Sequence, residues 1–263
     1  MRRGLVAEVV GRTVQRVTVT GARTVRRHDP ERVVSALEGR RLTDVRRWGK
    51  YLLVDTDGGD TVVVHLRMSG QLLVAPTSGP RPPHTHAVLA LDDGRELRFV
   101  DPRTFGELFV AGPGLPELAG LGLDALDPAL GASELRAALA GRRAPVKAVL
   151  ADQRRLAGLG AIYTDEVLHV AGVHPLRPGG SVGRPAQARL LAAIPDVLGA
   201  AIEAGGSSLA DAQYVDVYGR AGGYQHHHRV YARAGLPCLR CGATVQRVRQ
   251  GARSAFVCRR CQR

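Results

Sequence analysis

The first part of the chain carries the alternation of apolar and polar positions that is typical of β-strands. The segments KYLLVDT and TVVVHLRMSG stand on either side of the turn DGGD, and AVLALDDGRELRFV contains a second hairpin around Asp92, Asp93 and Gly94. Apolar and β-branched runs separated by Gly- and Asp-rich turns favour antiparallel pairing. The pattern therefore predicts a sheet-rich domain over residues 1–111.

The spacing of apolar positions changes further along the chain. Residues 112–131 carry Gly or Pro every few positions, which is typical of a linker. Helical spacing follows in SELRAALAGR, PVKAVLADQRRL, AIYTDEVLHVAGV and AQARLLAAIPDVLGAAIEA, and a Gly- and His-containing loop begins at Gly205. We assign residues 132–222 to a helical domain, and residues 223–263 to a cysteine-containing segment with its preceding loop.

The chain begins with a helical pattern that has no start signal. Apolar residues recur at helical spacing between positions 5 and 10, but no Ser, Thr, Asp or Asn precedes them as a cap. Arg2 and Arg3 stand where the positive end of a helix dipole favours carboxylates. Two interpretations follow: the helix is poorly capped, or its first turn lies upstream of Met1.

Composition narrows the class of protein. The chain has 263 residues, 44% of them hydrophobic, and a formal net charge of +13, which indicates a folded protein with a polyanionic partner. A ribosomal protein or a membrane-surface protein would also have such a charge. So would an ordinary protein from an organism whose proteins are generally rich in arginine. The longest apolar stretch is interrupted by Pro195, Asp196 and Glu203, so we expect no membrane span and a cytoplasmic protein.

The four cysteines form the most specific local signal. Cys238 and Cys241 are separated by two residues, as are Cys258 and Cys261, and sixteen residues lie between the pairs. Two such pairs supply the four thiolates of a closed tetrahedral zinc site, which leaves no open position for a catalytic water. The spacing predicts one structural Zn²⁺ ion. A redox pair or two disulfides is the alternative.

Two basic segments suggest contacts with phosphate groups. The stretch from residue 238 to 263 contains seven arginines and no acidic residue, so its hairpin would bind phosphates unless it is only a solvated tail. In LAGLGAIYTDEVL, two glycines precede a helix whose first N–H groups can bind an anion. Together with GRRAPVK just upstream, this helix start predicts a phosphate clamp.

Two strand ends carry large side chains beside glycine. In HLRMSG and DPRTFG, the residues Met68, Arg103 and Phe105 are either core residues or a wedge inserted into a base stack. Residue type alone favours core packing for Met68 and Phe105. Lys50, in RRWGKYLLV, is either a surface lysine at a strand start or a catalytic one.

The motifs GKYLLV, HLRMSG, DPRTFG, AGLGAIYTDEVL, AGVHP, GGYQ, VYARAGLPC and the terminal cysteine pairs occur in one order along essentially the whole chain. This set resembles the formamidopyrimidine-DNA glycosylase (Fpg/Nei) family of base-excision repair. The resemblance implies an α+β fold with an N-terminal β-sandwich, a helix-two-turns-helix domain and a C-terminal zinc-finger β-hairpin. It also implies a monomer that binds double-stranded damaged DNA in the bacterial cytoplasm, associated with the nucleoid.

The resemblance also implies an activity and a set of site residues. Such an enzyme flips an oxidised purine such as 8-oxoguanine or formamidopyrimidine out of the duplex, removes it, and cleaves the strand by β,δ-elimination as an abasic-site lyase. Lys50 matches the proton donor of β-elimination, and Arg253 the arginine of δ-elimination. Met68, Arg103 and Phe105 match the family's triad that fills the gap left by the flipped base. This match reverses the expectation that Met68 and Phe105 pack in the core. The matched DNA-contacting positions are His84, Arg103 and Arg142, with Lys147 close by, and the matched zinc ligands are Cys238, Cys241, Cys258 and Cys261.

Members of this family begin with a segment like MPELPEVETVRRGL. Its proline amine forms a Schiff base with the sugar, and its glutamate shuttles protons. In this chain RRGL follows Met1 directly. We expect a start codon assigned too late, because the other site positions are retained; the alternative is a catalytically inactive relative that binds damaged DNA.

Some positions depart from the family pattern. Ala161 stands where Asn is usual, Thr104 where a second arginine is common, and the three histidines from position 226 to 228 are unusual in this loop. We expect a solvated or DNA-facing loop there. These departures leave the preferred lesion and opposite base open. A ribosome- or RNA-associated zinc protein would explain the charge and cysteines, but not the pair HLRMSG and DPRTFG.

Overall fold

A computed structural model describes residues 1–209 and 213–263. The chain divides into two compact units: unit 1 comprises Met1–Ala119 and Gly205–Gly223, and unit 2 comprises Gly120–Ala204 and Tyr224–Arg263. Residues 210–212, in the loop predicted to begin at Gly205, lie outside the described part of the chain. Among the described residues, no helix combines the length and apolar character that a membrane crossing requires.

Unit 1 is built from two antiparallel sheets of four strands each. In chain order its strands are β1 (Val14–Val19), β2 (Leu42–Trp48), β3 (Tyr51–Thr56), β4 (Thr61–His65), β5 (Gln71–Pro76), β6 (Thr85–Leu91), β7 (Arg95–Val100) and β8 (Glu107–Ala111). One sheet has the order β1-β6-β7-β5 and the other the order β2-β3-β4-β8. The predicted hairpins are β3–β4, with Val54 opposite Val62, and β6–β7, with Leu89 opposite Leu97.

Both sheets contribute to one apolar core, which makes unit 1 a β-sandwich. Val17 and Leu89 from the first sheet share this core with Val54 and Val64 from the second. Helices α1 (Arg2–Val9) and α2 (Pro30–Leu37) pack against the same core. Burial of this apolar surface is the main source of stability, at about 25 cal/mol per Å².

Helix α1 forms as the apolar spacing predicts. It buries Leu5 and Val9 completely, and its first turn has neither an acidic residue nor a side-chain cap. Arg2 instead donates from Nε to the carbonyl oxygen of Val45, at 2.8 Å. Packing on β2 and the core therefore compensates for the missing cap.

Unit 2 contains the predicted helices and the cysteine hairpin. In chain order its elements are β9 (Leu123–Asp124), α3 (Ala132–Leu139), α4 (Val146–Leu150), β10 (Leu156–Ala157), α5 (Ala161–Ala171), α6 (Arg184–Glu203), β11 (Gln246–Gln250) and β12 (Arg253–Val257). Short 3-10 helices lie at Ala22–Val25 and Pro116–Leu118 in unit 1, and at Gly179–Ser181 and Tyr224–His227 in unit 2.

The helical core of unit 2 is separate from the sandwich core. Leu139, Val149, Leu168 and Ile194 belong to one buried cluster contributed by α3 to α6. The segment predicted as a linker contains a strand as well, because β9 pairs in parallel with β10. The α+β fold class, with sandwich, helical region and C-terminal hairpin, is confirmed.

Candidate functional site

Lys50 occupies the tip of the β2–β3 hairpin in unit 1. Trp48 pairs with Tyr51, so the connection is the two-residue turn formed by Gly49 and Lys50. Gly49 has φ of +59°, the sign that a type II′ turn requires at its first central position. The turn holds the Lys50 side chain at an exposed position on a rigid hairpin.

The loop after β4 carries Met68. His65 is buried, and its Nδ1 accepts the backbone N–H of Arg67 at 2.9 Å. Burial lowers the pKa of His65 to about 4, and the charges of Arg67 and Lys50 act in the same direction. The neutral ring therefore serves as the acceptor that shapes the turn before Met68.

The loop between β7 and β8 carries Arg103 and Phe105. The Arg103 guanidinium carbon lies 4.7 Å from the centroid of the Phe105 ring, a cation–π contact. Arg26 donates from Nη2 to the Phe105 carbonyl oxygen at 3.1 Å. These contacts hold a cation and an aromatic ring together at the end of the loop.

The structure exposes both large apolar side chains of these loops. Met68 is 64% exposed and Phe105 is 40% exposed. The expectation from residue type, that both pack in the core, is wrong. Their neighbours are satisfied inside the protein instead, since Ser69 and Gly106 hydrogen-bond to the carboxylate of Asp101.

Backbone conformation marks these two loops and the loop between β5 and β6. Arg67, His84 and Thr104 have φ of +54°, +62° and +51°, in the left-handed region that costs L-residues about 1 kcal/mol or more. Arg67 directly precedes Met68, and Thr104 separates Arg103 from Phe105. His84 is itself a predicted DNA contact, and its side chain is exposed. Such strain persists only where the surrounding structure determines the conformation.

A buried carboxylate organises the cations beside these loops. Glu107 is 3% exposed and forms ion pairs with Arg27 at 3.0 Å and Arg67 at 3.1 Å. Burial acts to raise the pKa of Glu107, but the two guanidinium groups outweigh it and hold the pKa below its ordinary value. The carboxylate therefore stays charged and fixes the Arg67 side chain.

In unit 2, the four cysteines come together as a metal site. Their sulfur atoms all lie within 4.8 Å of one another, with Cys241 and Cys258 at 3.5 Å and Cys238 and Cys261 at 3.9 Å. A tetrahedral Zn²⁺ with bonds of about 2.3 Å requires sulfur separations of about 3.8 Å. The cluster fits one structural zinc ion, as the spacing predicts, and it has no open position for catalysis.

A histidine that sequence reasoning missed lies against this cluster. His169, on α5, is 1% exposed, and its Nε2 lies 3.4 Å from Cys238 Sγ. His169 therefore adds one ring-nitrogen contact from the helix to the sulfur cluster. Its spacing along α5 resembles that of an ordinary core residue, so the sequence contains no signal for it.

The hairpin β11–β12 carries the exposed basic side chains. Its strands pair from Gln246 with Val257 to Gln250 with Arg253, and Gly251 in the turn has φ of +57°. Arg253 is therefore the first strand residue after the tip. The seven arginines of the segment are all exposed: Arg240, Arg247, Arg249, Arg253, Arg259, Arg260 and Arg263. Arg142, between α3 and α4, is exposed as well.

Lys147 does not have the exposed position expected of a DNA contact. It is 3% exposed, and its Nζ donates to Asp165 Oδ2 and to the carbonyl oxygen of Ser254, both at 2.7 Å. The prediction of a direct phosphate contact is therefore wrong for this structure, because the ammonium points into the protein. Lys147 instead joins α4 to α5 and to β12, next to Arg253.

Two adjacent acids on α5 form the other half of this arrangement. Asp165 also accepts the backbone N–H of Phe256 at 3.2 Å, and burial raises its pKa to about 6 although Lys147 acts in the opposite direction. Glu166 is fully buried and accepts three backbone N–H groups, at 2.8 to 3.0 Å, from residues 229 to 231. Sequence reasoning missed the roles of both acids. The available signal was the presence of two adjacent acidic residues within a largely apolar helix.

The histidine loop is only partly solvated. His226 and His227 are exposed, but His228 is 4% exposed and packs between Tyr224 and Tyr231, with ring centroids at 5.7 and 5.5 Å. The expectation of a solvated or DNA-facing loop is therefore wrong for His228. Within the described residues, the cysteine cluster is the only group of side chains placed to hold a metal ion.

The sandwich, the helical unit and the tetracysteine hairpin with its exposed arginines define a zinc-containing protein with an anion-binding surface. Three family models match the chain: the formamidopyrimidine-DNA glycosylase N-terminal domain over residues 1–108, the H2TH domain of the same glycosylase over residues 121–213, and a zinc finger found in FPG and IleRS over residues 235–263. The chain belongs to the formamidopyrimidine-DNA glycosylase family.

Individual relatives match along nearly the whole chain. A formamidopyrimidine-DNA glycosylase of Moorella thermoacetica is 47% identical and aligns over 90% of this chain and 87% of its own length. A formamidopyrimidine-DNA glycosylase of Salinispora arenicola is 45% identical and aligns over 100% of this chain and 93% of its own length. The crystal structure of the MutM (Fpg) protein from Thermus thermophilus superposes with a TM-score of 0.88 at 40% identity, over 99% of this chain and 95% of that one. Lactococcus lactis Fpg, in a complex with DNA containing an abasic site, superposes with a TM-score of 0.92 at 29% identity, over 100% of this chain and 96% of that one.

Proposed function

We propose that this protein binds damaged double-stranded DNA, removes oxidised purines such as 8-oxoguanine and formamidopyrimidine, and cleaves the strand as an abasic-site lyase. Relatives carry the name formamidopyrimidine-DNA glycosylase, and solved Lactococcus lactis Fpg complexes hold DNA with an abasic site or with Fapy-dG. The protein would act as a monomer on nucleoid DNA in a bacterial cytoplasm.

The observation that carries this proposal is the exposed set of Met68, Arg103 and Phe105. Exposing large apolar side chains costs free energy, so their exposure on ordered loops points to a partner surface. A base stack from which one nucleotide has been flipped offers an apolar gap of the right kind for Met and Phe. Arg103 would bind the base left without its partner.

Lys50 and Arg253 would act on the sugar and phosphates. Lys50 and Lys147 are the only two lysines among the 37 basic residues, and guanidinium groups do not release protons at neutral pH. Lys50 is therefore the exposed lysine of the chain, and its ammonium would donate the proton of β-elimination, the role that the family resemblance implies for it. Arg253, at the tip of the basic hairpin, would bind the phosphate that leaves in δ-elimination.

The remaining predicted residues would hold the duplex. His84 and Arg142 are exposed and would contact phosphates, as would the hairpin arginines. Lys147 would act indirectly, by positioning β12. We propose the functional domains as residues 1–111, 132–222 and 223–263, with residues 112–131 between the first two. The second of these includes most of Gly205–Gly223, which belongs to unit 1. When bound, zinc supplies a structural crosslink that keeps the hairpin folded.

The test is borohydride trapping and strand cleavage on an 8-oxoguanine duplex. Two forms should be compared: the chain of 263 residues, and a version in which the family-type segment PELPEVETV, with its proline at the N-terminus, replaces Met1 before Arg2. Borohydride reduces an imine between an amine and the sugar, so trapping reports the lyase intermediate. We expect trapping and cleavage with the second form, and a preference for 8-oxoguanine over guanine duplex with both.

Lys50→Arg provides the matched variant, because it keeps the positive charge and removes the titratable amine. We expect it to bind the lesion duplex as tightly as its parent but to cleave abasic DNA about a hundredfold more slowly, in the range of general acid catalysis. Lesion binding without trapping by either form would indicate a binding protein. No preference for the lesion duplex would contradict the proposed function.

A further inference from the structure

A single buried carboxylate joins the loops that carry the exposed residues of unit 1. Asp101 is fully buried at the end of β7. Its Oδ1 accepts the hydroxyl of Ser69 at 2.5 Å and the backbone N–H of Arg103 at 3.3 Å. Its Oδ2 accepts the backbone N–H of Gly106 at 2.7 Å. One side chain therefore contacts the neighbour of Met68, Arg103 itself and the neighbour of Phe105.

The main chain of Asp101 ties in the third loop. Its N–H donates to the carbonyl oxygen of His84 at 3.0 Å, and its carbonyl oxygen accepts the N–H of Thr104 at 3.2 Å. His86 Nε2 lies 3.0 Å from the same carbonyl oxygen. His84 and Thr104 are two of the left-handed residues described above, so Asp101 binds the backbone at the positions where it is strained.

The packing leaves little room for another arrangement. A Cβ atom on Gly106 would lie 2.8 Å from Phe99 Cζ and 3.0 Å from Asp101 Oδ2. The close approach of the Gly106 N–H to the carboxylate therefore depends on the missing side chain. The contacts of both carboxylate oxygens are donors, which an ionised carboxylate satisfies and an amide satisfies only in part.

We propose that Asp101 is the positioning residue that sets Met68, His84, Arg103 and Phe105 as one rigid surface for the unpaired site in damaged DNA. It touches no DNA itself and acts through the loops that do. This inference rests on the proposed function, since the value of a rigid surface depends on what it binds. Preorganised side chains bind with a smaller loss of conformational entropy, which favours the damaged over the intact duplex.

The test compares Asp101→Asn with Ser69→Ala in the full chain. In Asp101→Asn the carboxylate charge is lost and one of the two acceptor oxygens becomes a donor, so the hydrogen bonds to both loops are weakened. Ser69→Ala releases only the loop of Met68. Asp55→Asn is the matched control, because Asp55 is also a carboxylate of unit 1 that accepts a side-chain hydroxyl, from Thr61 at 2.7 Å, and it lies beside the β3–β4 turn, away from these loops.

Hydrogen exchange gives the first readout and needs no DNA. We expect faster exchange in residues 66–70 and 102–106 together in Asp101→Asn, in residues 66–70 alone in Ser69→Ala, and in neither segment in Asp55→Asn. Unchanged exchange in Asp101→Asn, or equal changes in the control, would overturn the proposal.

The second readout is the ratio of affinities for 8-oxoguanine and guanine duplexes. We expect Asp101→Asn to reduce this ratio about tenfold, Ser69→Ala to reduce it less, and Asp55→Asn to leave it unchanged. In a chain that already carries Met68→Ala and Phe105→Ala, adding Asp101→Asn should change the ratio less than it does in the parent, because two of the four side chains through which it acts are removed.

A full additional loss in that background would overturn positioning through these side chains. A parent protein that prefers the lesion, with Asp101→Asn preferring it equally, would overturn this proposal and leave the proposed function intact. A parent with no preference would overturn the proposed function and this inference together.

Discussion

Single residues in unit 1 are held in place by buried acceptors beneath exposed side chains. His65 accepts a backbone N–H beside Met68, and Glu107 fixes Arg67. Each acceptor is buried and satisfied, while the side chain it positions is exposed. A surface built in this way keeps its geometry in water, where Met68 and Phe105 have no apolar neighbours on one side.

The buried His65 predicts a pH dependence of stability. Burial lowers its pKa in the folded chain from 6.5 to about 4, so between these values the unfolded chain binds more protons. The free energy of unfolding therefore falls as pH falls from about 6.5 to 4, by about 3 kcal/mol from this residue. His65→Gln removes the titrating group, and calorimetric melting from pH 4 to 7 should show a weaker slope than the parent.

His226→Gln, at an exposed histidine, is the control for this measurement. It should leave the slope as in the parent, because an exposed ring loses little hydration on folding. Equal slopes for His65→Gln and the parent would contradict the role given to burial.

Sequence patterns resolve residue type better than residue environment. HLRMSG and DPRTFG mark Met68 and Phe105 as notable, but residue type alone assigns them to the core, and only the resemblance corrects this. Lys147 shows the reverse error, since its position as the last residue of GRRAPVK indicates a surface cation. Its partners Asp165 and Ser254 are 18 and 107 positions away, and no local pattern predicts such contacts.

Helices and strands could be predicted where interactions between residues close in sequence stabilise them. The hairpins β3–β4 and β6–β7 follow from alternation and Asp-Gly turns, and α5 ends at Gly172 with φ of +68° as a C-terminal glycine should. Strand β9 was missed, because two residues that pair in parallel with β10 have no periodicity to detect. The four cysteines were predictable, since a tetrahedral site restricts the spacing of its ligands along the chain.

At the level of elements, the Lys147–Asp165 pair links α4, α5 and β12. Lys147→Met should destabilise unit 2 by about 3 kcal/mol at pH 8, because it leaves a buried carboxylate without its cation. The loss should be smaller at pH 5, where the isolated Asp165 takes up a proton. Thermal unfolding at the two pH values measures both effects.

The double variant Lys147→Met with Asp165→Leu is the control, since replacing a whole buried pair by apolar residues is often neutral. It should recover most of the stability lost in Lys147→Met. No recovery would mean that Lys147 stabilises mainly through the Ser254 carbonyl oxygen, at 2.7 Å.

Helix α5 also contacts the zinc site through His169. His169→Phe removes the contact to Cys238 Sγ and retains an aromatic ring of similar size. Groups that hydrogen-bond to metal ligands typically contribute about 10- to 100-fold in metal affinity, so we expect zinc transfer to a chelator to be about tenfold faster. His228→Phe, at a buried histidine of the same unit, should transfer zinc at the parental rate. Equal rates for both variants would contradict the role of His169.

For the whole molecule, the excess of cations behind the net charge of +13 makes DNA binding depend on salt. Each phosphate neutralised by a cation releases counterions, so log K falls against log salt with a slope of about −0.9 for each contact. Charge alone does not say which cations contribute. The structure separates the exposed Arg142 and Arg253 from the buried Lys147.

This separation predicts different slopes for three changes to the same duplex-binding measurement. Arg142→Gln and Arg253→Gln should each make the slope less steep by about 0.9, because each removes one exposed cation from a phosphate. The double variant Lys147→Met with Asp165→Leu should leave the slope unchanged, since it removes a cation and an anion that neutralise each other inside the protein. A less steep slope in that variant, equal to the arginine effect, would mean that the buried pair opens when DNA binds and that the Lys147 ammonium reaches a phosphate.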